Sequence, residues 1–307
     1  MPISTLGSLM LKITVMIVLG FILKWKKVIN DETQKGISNL LLTAILPISI
    51  LASSLEKIKR PEAIFLFQAV IIIMGYYIAA ILLSEMISRR MTLRNGEDKL
   101  FINLSVFANV GFIGIPLITA LFGAEANLYS VIYNLEYQVF LVVYAIRKFS
   151  GKSKVNLKNI FYDPMNLASI ASIILFFFPV HFPEALRDSL SSIGTLVVPM
   201  SMIIIGCQIS DVKLPELIKN KMALMISGLR LLLFPIIMLV ILCFVHIDTT
   251  LAASMIILTA LPSGSLIAIL AEQYDCYPKQ AALTVVESSV LMMITLPVLL
   301  LLLNIFL

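Results

Sequence analysis

Apolar residues fill the chain in stretches long enough to cross a hydrocarbon core, and short polar or basic intervals separate them. A helix needs about 20 residues to cross a core of about 30 Å. Ten spans are expected on that basis: Leu6–Leu23, Ile37–Leu55, Ala63–Ile87, Leu100–Leu121, Ala126–Ile146, Pro164–Val180, Ser191–Ile209, Met222–Val245, Leu251–Ala271 and Gln280–Ile305. The pattern predicts an all-α polytopic membrane protein with ten transmembrane helices. Its longest gap, Arg147–Asp163, is 17 residues. That is too short for a soluble catalytic or nucleotide-binding domain with its own core.

The basic stretch RKFSGKSKVNLK (Arg147–Lys158) separates five spans from five, and proline positions mirror each other across it. LPIS around Pro47 in the second span matches VPMS around Pro199 in the seventh, 152 residues on; Pro116 in the fourth matches Pro262 in the ninth, 146 residues on. An odd number of spans per half gives the halves opposite orientation. The expected organisation is a five-helix repeat (1–148), a cytoplasmic linker (149–163) and a second, inverted five-helix repeat (164–307). Inverted repeats interrupted at matching positions point to a secondary transporter.

Composition agrees with this picture: of 307 residues, 60% are hydrophobic and 13% charged, against roughly a quarter charged in a soluble domain. The net charge of +5 is spread over short loops rather than gathered on a patch, so no nucleic-acid partner is expected. With the N-terminus outside, inward loops hold seventeen Lys and Arg and outward loops four, three of these being Lys57, Lys59 and Arg60. This asymmetry places both termini extracellular or periplasmic, in a multi-pass protein of the plasma membrane. The start, MPISTLGSLML, lacks a basic n-region and reads as a retained first span. Cys207, Cys243 and Cys276 show neither a disulfide framework nor metal-ligand spacing.

The fourth span reads FANVGFIGIPLITALFG (Phe107–Gly123), with Gly111, Gly114 and Pro116 at its middle. Proline removes a backbone donor and clashes with the preceding turn, and glycine tolerates unwound backbone, so a break is expected there, facing protein or a wet cavity. Pro116 suits the first turn of the half-helix that follows. The ninth span repeats the device in TALPSGSLIAIL (Thr259–Leu270), where Pro262 starts a half-helix, Gly264 loosens the backbone, and Ser263 and Ser265 add hydroxyls. Two crossed half-helix N-termini form an anion site without a basic side chain, and carboxylate is the natural ligand.

NVGFIGIPL (Asn109–Leu117) resembles the crossover signature of the auxin efflux carrier family, the plant auxin exporters and bacterial malonate-type permeases. Further similarity runs through GFILKWKKVINDETQKGISNLLLTAILP (Gly20–Pro47), GLRLLLFP (Gly228–Pro235), LPSGSLIAILAEQYD (Leu261–Asp275) and TLP (Thr295–Pro297). The resemblance implies two inverted five-helix repeats, with spans 1, 2, 6 and 7 as a scaffold, often dimeric, and spans 3–5 and 8–10 as a moving transport domain. It implies a small organic anion as substrate, bound between these domains near the crossovers. By position Asn109 and Pro116 match the fourth-span signature and Pro262 the ninth-span proline; Ser263 and Ser265 extend the candidate site, together with Gly111 and Gly114.

Charged side chains inside the spans are Lys12, Glu85, Glu136, Arg230 and Glu287, each costing about 2.5–3.5 kcal/mol at mid-bilayer unless partnered, protonated or hydrated. Glu85 lies near the cytoplasmic end with Arg89 an i,i+4 partner, and the stem of Lys12 is long enough to snorkel. Glu136 sits mid-span in YNLEYQ on one face with Tyr133 and Tyr137. Glu287 lies seven residues into the tenth span, 151 residues after Glu136. Both glutamates depart from the family pattern; they are candidates for proton or sodium coupling, or for pairing with Lys12 or Arg230. Arg230 is open between an ion pair, substrate contact and headgroup snorkelling. Asn103, Gln68 and Gln208 read as interhelical hydrogen-bonding groups.

The leading expectation is a secondary carrier of a small organic anion working by alternating access, without cofactor or metal. The alternatives are a sodium-coupled bile-acid-type symporter and a carrier-derived channel or sensor. An enzyme is disfavoured: no aspartate lies in a span, and His181 and His246 fall in outward loops.

Overall fold

The computed structural model describes residues 3–55, 62–123, 126–151, 162–178, 180, 182–210, 220–245 and 247–306. Lys57, Lys59, Arg60, His181, His246 and most of the basic linker lie outside them. The described residues are helical, with no named strand. Among the described residues, five helices are long and apolar enough to cross a membrane alone: Asp31–Leu55, Ala63–Arg90, Glu184–Ser210, Lys221–Cys243 and Pro278–Phe306. Other expected spans fall on α1 (Ile3–Trp25) and on shorter apolar helices, Val110–Phe122, Pro164–Phe177 and Thr249–Thr259.

Proline explains the local shape of several spans. The second span runs as α2 (Asp31–Leu40), a π-helical turn (Leu41–Ile45) and α3 (Leu46–Leu55). Asn30 caps α2 by accepting the Thr33 N–H, and Asp31 and Glu32 suit the positive end. Pro47, Pro116 and Pro235 each follow such a turn by two residues. The wide turn makes room for a ring that would otherwise strike the carbonyl four residues back. After α4 (Ala63–Arg90) come α5 (Glu97–Val106), a π turn (Val110–Gly114) and α6 (Ile115–Phe122). The fifth span comprises α7 (Asn127–Phe140), another π turn (Leu141–Ile146) and α8 (Arg147–Ser150).

In the second half the elements are α9 (Pro164–Phe177), α10 (Glu184–Gly194), α11 (Val197–Ser210), α12 (Lys221–Gly228), a π turn (Leu229–Leu233), α13 (Phe234–Cys243), α14 (Thr249–Thr259), α15 (Ser265–Gln273) and α16 (Pro278–Phe306). The seventh span therefore begins at Glu184, earlier than expected. Pro183 precedes the helix, and Glu184 pairs with Arg187 in its first turn, within the expected loop.

Two compact units form. One gathers Met1–Phe67, Gly111–Leu135 and Lys158–Asp211; the other gathers Gln68–Val110, Glu136–Leu157 and Val212–Leu307. In the first unit α1 and α11 cross with their backbones touching. A Cβ on Gly20 would lie 2.1 Å from the Ile203 carbonyl oxygen, and one on Gly206 would lie 2.0 Å from that of Ile17. Small residues allow the close approach that drives helix association in lipid. α3 packs against α9 and α10, with Ser54 hydrogen-bonded to Ser172 and Asn127 donating to Ser53 at 2.8 Å.

In the second unit α5 packs against α12, α15 and α16. Phe107, Tyr77, Phe140 and Tyr137 form an aromatic cluster with ring centroids 4.8–5.9 Å apart. Glu85 meets more partners than Arg89, which lies at 3.6 Å: Tyr144 donates to it at 2.6 Å and Lys148 at 3.4 Å. Asn103 departs from expectation. It is fully buried, and neither side-chain polar atom has a hydrogen-bond partner among the described residues.

Candidate functional site

The segments expected as the fourth and ninth spans are both broken, and the breaks pair with each other inside the second unit. α5 ends at Val106, and Phe107 is extended with φ −93° and ψ 117°. α14 ends at Thr259, and α15 starts at Ser265 after Gly264, which is extended at φ −71° and ψ 128°. Between these ends Ala108 and Ser263 form an antiparallel bridge. The Asn109 N–H donates to the Pro262 carbonyl at 2.9 Å, and the Gly264 N–H donates to the Phe107 carbonyl at 2.8 Å. Unwound backbone in an apolar setting must find partners, and here each break supplies them to the other.

The locations differ from the sequence expectation in two respects. In the fourth span the unwound residues are Phe107–Asn109, upstream of Gly111, Gly114 and Pro116. Those three sit in a continuous helical rod, Val110–Phe122, so its amide end lies at Val110 and not at Pro116. In the ninth span Pro262 belongs to the unwound segment rather than to the first turn of the half-helix, which begins three residues later. What the two breaks share is hydrogen bonding of each unwound segment to the other; Pro262 lies in its segment, while Pro116 lies downstream of its own.

Side chains complete the crossing. Asn109, 4% exposed, donates through Nδ2 to the Ser265 hydroxyl at 3.0 Å, joining the residue before one helix start to the first residue of the other. Fully buried Ser263 donates its hydroxyl to the Leu104 carbonyl at 2.9 Å, while its N–H reaches the Ser288 hydroxyl at 3.1 Å. No side chain caps α15, whose Ile267 N–H donates to the Gly264 carbonyl at 3.0 Å, and Ser265 at its start is half-buried.

Arg230 is fully buried, on the π turn after α12. Its Nε donates to the Leu261 carbonyl at 2.6 Å, and its Nη1 donates to those of Ser105 and Val106 at 3.0 and 2.7 Å. The guanidinium thus joins the carbonyl ends of both breaks, a role absent from the three considered from sequence.

Asn109, Pro262, Ser263 and Ser265 are thereby brought together. Gly111, Gly114 and Pro116 fall in the other unit, where a Cβ on Gly111 would make ordinary contact with Met165 at 3.5 Å. Glu287 is 2% exposed and accepts from Ser227 at 3.4 Å. Glu136 is half-buried; its carboxylate oxygens have no hydrogen-bond partner among the described residues, and Tyr133 and Tyr137 on its face are buried. Lys12 is exposed on α1. Sequence reasoning missed Ser288 and the Arg230 carbonyl contacts. A hydroxyl directly after a charged residue in an apolar span was the one available signal for Ser288.

An apolar cavity of about 360 Å³ lies elsewhere in the second unit, between α4 and α13, lined by Ile71, Gly75, Tyr76, Phe234, Met238 and Ile241 among others. Its walls are nearly devoid of polar groups, so it offers nothing to a carboxylate. No group of three or more His, Cys, Asp or Glu among the described residues is arranged to hold a metal.

The profile of the family described as membrane transport protein matches residues 6–300. A transporter of Methanocaldococcus jannaschii, described as uncharacterized, is 25% identical over 221 residues, which is 66% of this chain and 68% of that protein. Another uncharacterized transporter, from Methanothermobacter thermautotrophicus, is 24% identical over 295 residues, covering 94% of this chain and 95% of its own. The match spans nearly the whole chain, crossover segments included, and the protein belongs to the membrane transport protein family, that of the auxin efflux carriers.

Proposed function

We propose that the protein is a secondary transporter of a small organic anion, a carboxylate, working by alternating access. The observation that carries this reading is the hydrogen bond between Asn109 and Ser265. It sets two helix starts side by side in the membrane, and the second has no capping side chain. Helix starts present N–H groups and a partial positive charge, which suits a carboxylate. In this reading Asn109, Ser265 and the amides beginning at Val110 and Ser265 receive the anion. Pro262, Ser263 and Gly264 hold the frame, and Pro116, Gly111 and Gly114 shape the rod that leaves the site.

The reading extends to architecture. The matched positions of Pro47 with Pro199 and of Pro116 with Pro262 support ten spans in two inverted repeats. The Lys and Arg asymmetry supports both termini outside the plasma membrane. The family resemblance supports a homodimer built on a scaffold of spans 1, 2, 6 and 7. Glu136 and Glu287 are the candidates for a coupling proton or sodium ion.

Uptake of a carboxylate panel (malonate, succinate, indole-3-acetate) into proteoliposomes tests this, with pH and sodium gradients imposed separately. Saturable uptake of at least one acid is expected, with exchange against internal unlabelled acid. Absence of uptake for all of them, or flux without counterflow exchange, overturns the carrier reading. A strict sodium requirement would favour the symporter alternative.

A further inference from the structure

We propose that Arg230 sets the charge preference of the crossover, a role that rests on the anion-carrier reading. α5 ends at the crossing, where its last carbonyls carry a partial negative charge, and the Leu261 carbonyl belongs to the unwound segment that follows α14. The carbonyls of Ser105, Val106 and Leu261 all lie within 3.0 Å of one guanidinium. Left open, three such oxygens would form a ligand set for a cation. Arg230 fills that set permanently, because a guanidinium does not lose its proton in a protein.

The consequence is an asymmetry. The carbonyl end of α5 and the Leu261 carbonyl of the unwound segment after α14 are met by a fixed charge, while the amide starts at Val110 and Ser265 keep theirs. In this proposal the fixed charge of Arg230 beside the two amide starts biases the crossing toward an anion over a cation. The fork matters as well as the charge. Nε serves the ninth-span break and Nη1 the fourth, so one planar group holds both segments at fixed spacing; a lysine ammonium is a single point and cannot reproduce this. Arg230 acts through backbone, as a positioning residue.

The test uses the full-length protein in proteoliposomes, with labelled malonate, succinate and indole-3-acetate as probes. Wild type is compared with Arg230→Lys and Arg230→Ala, each with and without millimolar methylguanidinium or methylammonium. Arg230→Lys is expected to raise KM for the transported acid about tenfold while changing Vmax little, the size expected for a charge displaced at helix ends. Arg230→Ala is expected to lose uptake, and methylguanidinium, but not methylammonium, to restore it and raise the melting temperature. Where Arg230→Ala does not fold, the KM reading on Arg230→Lys decides. Wild-type KM in either variant overturns the proposal, as does an alanine variant stabilised by methylguanidinium that regains no uptake. Failure of wild type to take up any of the three acids is a different result: it removes the anion reading itself.

Discussion

Gly264 and Ala108 meet backbone to backbone at the crossing of the two broken spans: a Cβ on Gly264 would lie 2.9 Å from the Ala108 carbonyl oxygen and 3.2 Å from its carbon. The backbone angles of Gly264 suit any residue, so what demands glycine is space. Gly264→Ala must push the two segments apart and lengthen the bonds from Gly264 to Phe107 and from Asn109 to Pro262. Overpacking of this kind costs about 1–3 kcal/mol. The expected outcome is a lower melting temperature and at least a severalfold drop in carboxylate uptake with normal membrane insertion. Unchanged uptake would show that the spacing of the segments is not critical.

The first unit contains a stricter case. Gly20 and Gly206 carry α1 and α11 past each other with less than a methyl group of clearance. Gly206→Ala has backbone as its obstacle, not a flexible side chain, so the helices must separate. Loss of monodisperse protein, or a large drop in melting temperature, is expected. The control is Gly36→Ala in α2, where nothing lies within 4 Å and better helix propensity should stabilise by up to about 1 kcal/mol. Equal behaviour of the two variants in a melting assay would refute the contact.

How much was legible in the sequence follows from what each feature depends on. A missing donor is a local property, and Pro262 does lie in the unwound segment of the ninth span, whereas Pro116 sits inside the rod that follows the break in the fourth. Where the chain unwinds is not local: Phe107–Asn109 stay extended because Pro262 and Gly264, more than 150 residues away, bond to them. Arg230 was visible as a charge in an apolar span, hence as something to be satisfied, but its partners are backbone carbonyls, which every residue has. The sequence points to a loosened backbone at Gly264, whereas its missing side chain makes room for a carbonyl. Asn103 read as a hydrogen-bonding group, since residue type shows what a side chain can do and not whether its neighbours answer.

Asn109 allows a prediction about charge. Its Nδ2 donates to Ser265 beside an uncapped helix start. Asn109→Ala removes the donor and is expected to raise KM severalfold. Asn109→Asp places a carboxylate where the proposed substrate carboxylate would sit, next to amide ends that stabilise it. The aspartate variant should keep its fold, with a melting temperature at or above that of wild type, yet transport less than the alanine variant. Higher uptake by the aspartate variant than by the alanine variant would argue that no anion binds here.

Ser288 and Ser289 give a matched pair on α16. Both hydroxyls donate to the Val285 carbonyl of their own helix, at 3.0 and 2.7 Å. Ser288 alone also accepts from the buried Ser263 N–H, at 3.1 Å. Ser288→Ala strands that amide in the crossover, at a cost of about 1–3 kcal/mol, whereas Ser289→Ala removes only a bond to its own turn. Thermal melting of the two purified variants should separate them, with Ser288→Ala lower by several degrees and Ser289→Ala close to wild type. Because the stranded amide sits at the break of the ninth span, uptake should fall with it. A Ser288→Ala variant that melts like Ser289→Ala would mean that the crossing draws no strength from α16.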